Sequence, residues 1–213
     1  MKKILTTLAI LIVAATASFA QIGVRIGMDF ASLNGDYKNK NFYDMKSGIG
    51  LHLGLVYNHE LADALSIQPG VFLVQRNWKY EDIDDETGKK FDAKVHSNWI
   101  EIPVVLKYNV DITSDISIDP HVGPYFGFGF AGKDKETKTK VFKKYKDGDE
   151  KNGMGMPNFD MGVQFGCGAT FYGTAYVGFD YELGFRNTLN KYPGHLSSHN
   201  GMFMITFGVF IPE

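Results

Sequence analysis

The chain has 213 residues, 22 of them basic and 24 acidic, for a formal net charge of −2. That balance excludes the basic face or stripe that nucleic acid requires. The single cysteine, Cys167, excludes an internal disulfide, a CxxC pair and a cysteine-based zinc cluster.

Residues 1–20, MKKILTTLAILIVAATASFA, combine two lysines, an apolar run from Ile4 to Ala15, and small residues Ser18 and Ala20 framing Phe19. This is the layout of a secretory signal peptide cut between Ala20 and Gln21. The run falls short of the roughly 20 apolar residues of a membrane-spanning helix. The residue after the cut is glutamine, so no lipid-modified N-terminus is expected. Residues 21–213 then form one domain with 20 basic against 24 acidic residues. No later run reaches about 18 consecutive apolar residues, so any membrane insertion is by strands.

Eight segments alternate with period 2, the mark of half-buried strands. In IGVRIGMDF, Ile22, Val24, Ile26, Met28 and Phe30 oppose Gly23, Arg25, Gly27 and Asp29. In GLHLGLVYNH, Leu51, Leu53, Leu55 and Tyr57 oppose Gly50, His52, Gly54, Val56 and Asn58. LSIQPGVFLVQRNW sets Leu65, Ile67, Val71 and Leu73 against Ser66, Gln68, Gly70 and Arg76. WIEIPVVLKYNV sets Ile100, Ile102, Val104, Leu106 and Tyr108 against Glu101, Pro103, Val105, Lys107 and Asn109. ISIDPHVGPYFGFGF opposes Ile116, Ile118, Val122 and Phe126 to Ser117, Asp119, His121 and Gly123. FDMGVQFGCGATF opposes Phe159, Met161, Val163, Phe165 and Cys167 to Asp160, Gly162, Gln164, Gly166 and Gly168. YVGFDYELGFRN opposes Val177, Phe179, Tyr181, Leu183 and Phe185 to Gly178, Asp180, Glu182, Gly184 and Arg186. MFMITFGVFI carries Phe203, Ile205, Phe207, Val209 and Ile211.

The connections alternate in length. Ser32 to Ser47, Lys79 to Val95, Gly132 to Pro157 and Thr188 to His199 are long; His59 to Ala64, Asp111 to Asp115 and Tyr172-Gly173 are short. Even strand number, short turns at one end and long loops at the other predict an all-β fold, an eight-stranded antiparallel up-and-down transmembrane β-barrel. A soluble ligand-binding barrel also alternates, but it would expose the glycine-rich phase to water and weaken its strands. In the membrane reading the apolar phase faces lipid and the glycine-rich phase a narrow lumen filled by side chains. The interior polar network is then Arg25, Asp29, His52, Arg76, Glu101, Lys107, Asp119, His121, Asp160, Asp180, Glu182 and Arg186. Tyr57, Trp78, Trp99, Tyr108 and Tyr172, near segment ends, are expected in interfacial girdles.

In this order the segments resemble a known group. "LSIQPGVFLVQ", "WIEIPVVLKYNV" and "HVGPYFGFGF" are similar to the LxxQPELLY, LEIPLLLKY and GGPYLGYLL strands of the PorT-like outer-membrane β-barrel family. "FDMGVQFGCGATF" and "YVGFDYELGFRNTL" resemble its FDFGLxxGxG and YxxGLxN strands. The chain departs at Gly70, where the family tends to have glutamate, and at Gly184-Phe185, where it has Gly-Leu. It ends FIPE, and Phe210 is expected to replace the terminal aromatic residue that the outer-membrane insertion machinery reads. The resemblance implies an eight-stranded barrel in a Gram-negative outer membrane, and the family's namesake is an accessory of a protein secretion system; outer-membrane lipid and lipopolysaccharide are the expected surroundings.

The chemistry-bearing clusters read mostly as ordinary surface. EDIDDETGKK, Glu81 to Lys90, misses the spacing of a calcium loop and reads as a solvated acidic loop. The lysine-rich GKDKETKTKVFKKYKDGDEKNG, Gly132 to Gly153, reads as a mixed-charge loop able to meet lipopolysaccharide phosphates or an acidic partner. His195 and His199 are four apart in a Pro-Gly loop, where that spacing does not set up a metal site. A lipid hydrolase would draw on His52 or His121 with Ser66 or Ser117 and Asp119, but no G-x-S-x-G elbow is present. The sequence therefore predicts no catalytic residues, no metal and no cofactor. It points to a non-enzymatic barrel that meets secretion-system proteins or other partners through its long loops.

Overall fold

A computed structural model describes residues 20–35, 46–83, 90–136, 138–143, 153–188 and 198–211. The strands are β1 (Ala20–Gly35), β2 (Lys46–Ala62), β3 (Leu65–Ile83), β4 (Lys90–Tyr108), β5 (Val110–Thr113), β6 (Ile116–Asp134), β7 (Phe159–Phe171), β8 (Ala175–Asn187) and β9 (Ser198–Phe210). Every pairing is antiparallel. The order β4-β3-β2-β1-β9-β8-β7-β6 closes on itself because β6 also pairs with β4. β5 continues β4 past Asn109 and pairs with β6 at Val110↔Ile118, so the wall has eight staves. Closure leaves no sheet edge to be satisfied in lipid.

The period-2 pattern settles which face is which. In β2, Leu51, Leu53 and Leu55 are 60%, 51% and 56% exposed, while His52, Gly54 and Val56 between them are buried. Ile26, Val122, Phe165, Phe179 and Phe207 continue the same outward band, and Cys167 lies on it. Tyr108 and Tyr172 are exposed at the short-turn end, as a girdle requires. Trp78 and Trp99 are not in a girdle. Both are buried in the lumen near the long-loop end, because they share the inward phase of Arg76 and Glu101. Phe210 also faces inward, against Tyr176 and Arg25, while Val209 and Ile211 face outward.

The strands are longer than the period-2 cores. The stretch Lys79 to Val95, expected as a long loop, is largely a two-stranded extension of the wall, with β3 and β4 paired from Lys79↔Lys94 to Ile83↔Lys90. A backbone ladder can continue beyond the membrane without apolar side chains, which is why hydropathy did not mark it. The signal-peptide reading, the centre of the acidic loop and His195 lie outside the described residues, apart from Ala20 at the start of β1.

Glycine serves two purposes on the inward phase. At Gly54, Gly129 and Gly168 an added Cβ would strike the rings of Phe72, Phe142 and Tyr176, so the missing side chain gives space mainly to rings. At Gly50 a Cβ would lie 1.7 Å from the Gln75 carbonyl oxygen, and at Gly123 2.0 Å from that of Val104. There the neighbouring strand's backbone occupies the side-chain position, and only glycine permits the coiling that closes so small a barrel.

Candidate functional site

The lumen is built in layers from alternate residues of every stave. Near the short turns, Arg25 stacks its guanidinium over the Tyr176 ring at 3.3 Å and donates to Gln68 Oε1 at 3.3 Å; Gln68 in turn donates to Asn58. Lys107 Nζ lies 3.3 Å from Asp119 Oδ2, which also accepts from the Thr170 hydroxyl at 2.7 Å.

The middle layer is a chain of hydrogen bonds. His52 Nδ1 is 2.6 Å from Asp29 Oδ1, and its Nε2 is 3.2 Å from Thr206 Oγ1. Thr206 reaches Asp180 Oδ2 at 3.5 Å, and the other Asp180 oxygen meets His121 Nε2 at 2.5 Å and Gln164 Nε2 at 2.9 Å. His121 Nδ1 points to the Asp119 backbone carbonyl.

Arg76 centres the upper layer. Its guanidinium faces three carboxylates: Glu101 at 2.7 Å, Asp160 at 2.7 Å and Glu182 at 3.3 Å. Asp160 Oδ2 also accepts from Tyr125 and Asn200, and the Arg76 guanidinium lies over the Trp99 ring at 4.7 Å. Among the expected network residues, Arg186 stands apart. It is exposed at the rim over the Phe159 ring, beside the break in β8–β9 pairing between Leu183 and Asn187. The eleven others all point inward.

The serine-based hydrolase constellation is not assembled. His121 meets the backbone of Asp119 and the carboxylate of Asp180, while Lys107 and Thr170 both meet Oδ2 of the Asp119 carboxylate. The Ser66 hydroxyl has no partner among the described residues. The structure does align Asp29, His52 and Thr206 in the order carboxylate, imidazole, hydroxyl, which sequence spacing could not show because the three come from β1, β2 and β9. That hydroxyl is buried. A cavity of about 30 Å³ beside it, of mixed lining that includes Arg25, Phe72, Glu101 and His121, has room for a water or two and none for an ester.

The long-loop mouth is closed by the chain itself. Val141, Met154 and Met156 are buried against Trp78, Trp99, Val95 and Leu33, and Phe142 meets Trp99 edge-on at 5.2 Å. Backbone bonds from Val141 to Gly132, Met154 to Lys140 and Met156 to Val141 fix this plug. Part of the stretch read as a mixed-charge loop is therefore core. The signal was present as Val141-Phe142 within the lysine-rich run and Met154-Gly155-Met156 directly after it.

A sequence model described as "Outer membrane protein beta-barrel domain" matches residues 14–190, most of the chain. The chain belongs to that family. Its place is accordingly the outer membrane, and the exposed Leu, Ile and Phe band is its lipid face. None of the curated proteins matches this outer-membrane barrel. Solved structures similar to it include OprG from Pseudomonas aeruginosa, at 11% identity and TM-score 0.46 over 92% of this chain and 97% of that one. Ail of Yersinia pestis, in complex with the heparin analogue sucrose octasulfate, is similar at 12% identity and TM-score 0.43, over 91% and 99%. Neisserial surface protein A is similar at 11% and 0.43, over 89% and 97%.

Proposed function

We propose that this outer-membrane barrel is a non-enzymatic envelope protein that works through its external loops, as a docking accessory to envelope assembly or protein secretion. The observation that carries the reading is the closed mouth. With Val141, Met154 and Met156 packed on Trp78 and Trp99 over a lumen layered with ion pairs, the described interior has room for little more than water, which favours binding on the outside of the barrel. The PorT-like strand order supports the secretion side of this proposal, and fold alone does not fix it. Cleavage between Ala20 and Gln21 is part of the same reading, since export must precede insertion.

The test is affinity extraction of the tagged chain from outer membranes in mild detergent. It is run with the loops intact and with residues 144–152 replaced by a short turn, which spares the plug. A protein that co-purifies with the intact chain and is lost on trimming is the expected result. A folded barrel that repeatedly emerges alone, or with the same companions after trimming, sinks the docking role.

A further inference from the structure

Beside the mouth, on the outer side of the β4–β6 seam, lies a second feature of different chemistry. His96 pairs with Lys133, and the register slips at Asn98/Trp99, where Phe130 is the extra residue of a bulge in β6. A bulge bends and twists its strand. The result here is a cleft of about 490 Å³ whose apolar wall is Phe130 and Phe142 and whose cationic wall is Lys133, Lys138, Lys140 and Lys143. These four lysines are exposed. Two described acids share this segment, Asp134, buried with Oδ1 accepting the Glu136 N–H, and the exposed Glu136, and the four lysines outnumber them.

The backbone holds the cations together at a cost. Lys133 and Lys140 are direct cross-strand partners, fixed by bonds from Asp134 to Thr139 and from Val141 to Gly132. Like charges directly opposite each other destabilise a strand pair. Lys138 adopts φ 60°, the left-handed region that a lysine rarely occupies, and Lys138 Nζ donates to the Lys135 carbonyl. Burial of Val141 and the packing of half-buried Phe142 on Trp99 anchor Lys140 beside Lys133. An anion between them would turn the repulsion into attraction.

Height selects the anion. Phe130, 60% exposed, is the last large apolar residue on the outward face of β6, and the small exposed Ala131 separates it from Lys133 on that face. The cations therefore stand where the apolar band ends, at the level of outer-leaflet headgroups. The apolar wall of the cleft is continuous with the lipid face through Phe130. A free anion would leave that wall unused.

We propose that this cleft is a binding site for a phosphorylated outer-leaflet lipid, with the phosphate between Lys133 and Lys140 and an acyl chain along Phe130. The site deepens the loop-mediated reading by naming a lipid ligand, and it stands or falls separately from any protein partner. The probes are nanodiscs of zwitterionic phospholipid holding the full chain, doped with bisphosphorylated lipid A or with its dephosphorylated form, and lipid retention is read by native mass spectrometry. Phosphorylated lipid A is expected to be retained selectively. K133Q/K140Q, changes at exposed positions, should weaken that retention by roughly tenfold or more, the scale of two cations at an anionic surface. K79Q, another exposed rim lysine, should leave it unchanged, and millimolar inorganic phosphate should not displace the lipid. Equal retention of the dephosphorylated lipid, equal loss in K79Q, or undiminished retention in a K133Q/K140Q barrel that folds normally by gel mobility would overturn the proposal. Displacement by inorganic phosphate would overturn it too, by reducing the cleft to a simple anion site. Co-purification of protein partners is a separate readout, so failure here and failure of the docking role are distinguishable.

Discussion

Arg76 is surrounded by Glu101, Asp160 and Glu182 within 3.3 Å, all with almost no access to water. Removing the one cation leaves three carboxylates buried against one another, which outweighs any gain from an apolar replacement. R76L is expected to lose about 3–5 kcal/mol of folding stability, measured by urea titration of the folded band in unheated gels. Adding E101Q and E182Q to R76L should recover much of the loss, because it removes two of the three stranded charges and leaves Asp160 with its Tyr125 and Asn200 donors. A single R76L as stable as the native chain would mean that water reaches this layer. The identity of Arg76 as an inward residue was legible from its phase. Its three partners were not, because they come from β4, β7 and β8 and only closure brings them together. Trp78 and Trp99 show the opposite failure. Tryptophan near a strand end suggests an interface, but their phase is that of Arg76, and phase outranks residue type.

Along each strand, glycine decides how tightly the element can coil. Gly50 and Gly127 are both inward glycines, yet a Cβ at Gly127 would first meet Trp99 Cε3 at 3.4 Å, ordinary packing distance, whereas at Gly50 it would overlap the Gln75 carbonyl. G50A is therefore expected to destabilise the barrel by about 1–3 kcal/mol or more, and G127A to cost well under half as much, both read by the same urea titration. Equal effects would show that glycine serves only to leave room in the lumen. The alternation that located the strands came straight from the sequence, since one face must be apolar in lipid. The strand ends did not. Beyond the membrane β3 and β4 are held by backbone pairing up to Ile83↔Lys90, which leaves no hydropathy signal.

For the molecule as a whole, the consequence of layered ion pairs under a capped mouth is electrical silence. Reconstituted in planar bilayers, the barrel is expected to show no steady single-channel steps. A variant with Val141, Met154 and Met156 changed to serine should stay silent, because the Arg76 layer still fills the bore. Defined conductance in the native chain would contradict a filled lumen. Conductance appearing only in the serine variant would make the plug the true barrier and the layers beneath it passable.

The sequence by itself determined the all-β class, the number of staves, the face that each strand's alternating core presents to lipid or lumen and the end that carries the long loops. Those properties follow from period 2 and from the solvent on each side of the wall, which act on each strand locally. Only the tertiary structure decided who meets whom. Closure placed Asp29, His52 and Thr206 in one line and three carboxylates on Arg76, and left Arg186 outside at the rim. It also turned part of a lysine-rich loop into a plug and set Lys133 against Lys140. Contacts across a lumen depend on register summed around the whole ring, and no single strand carries that information.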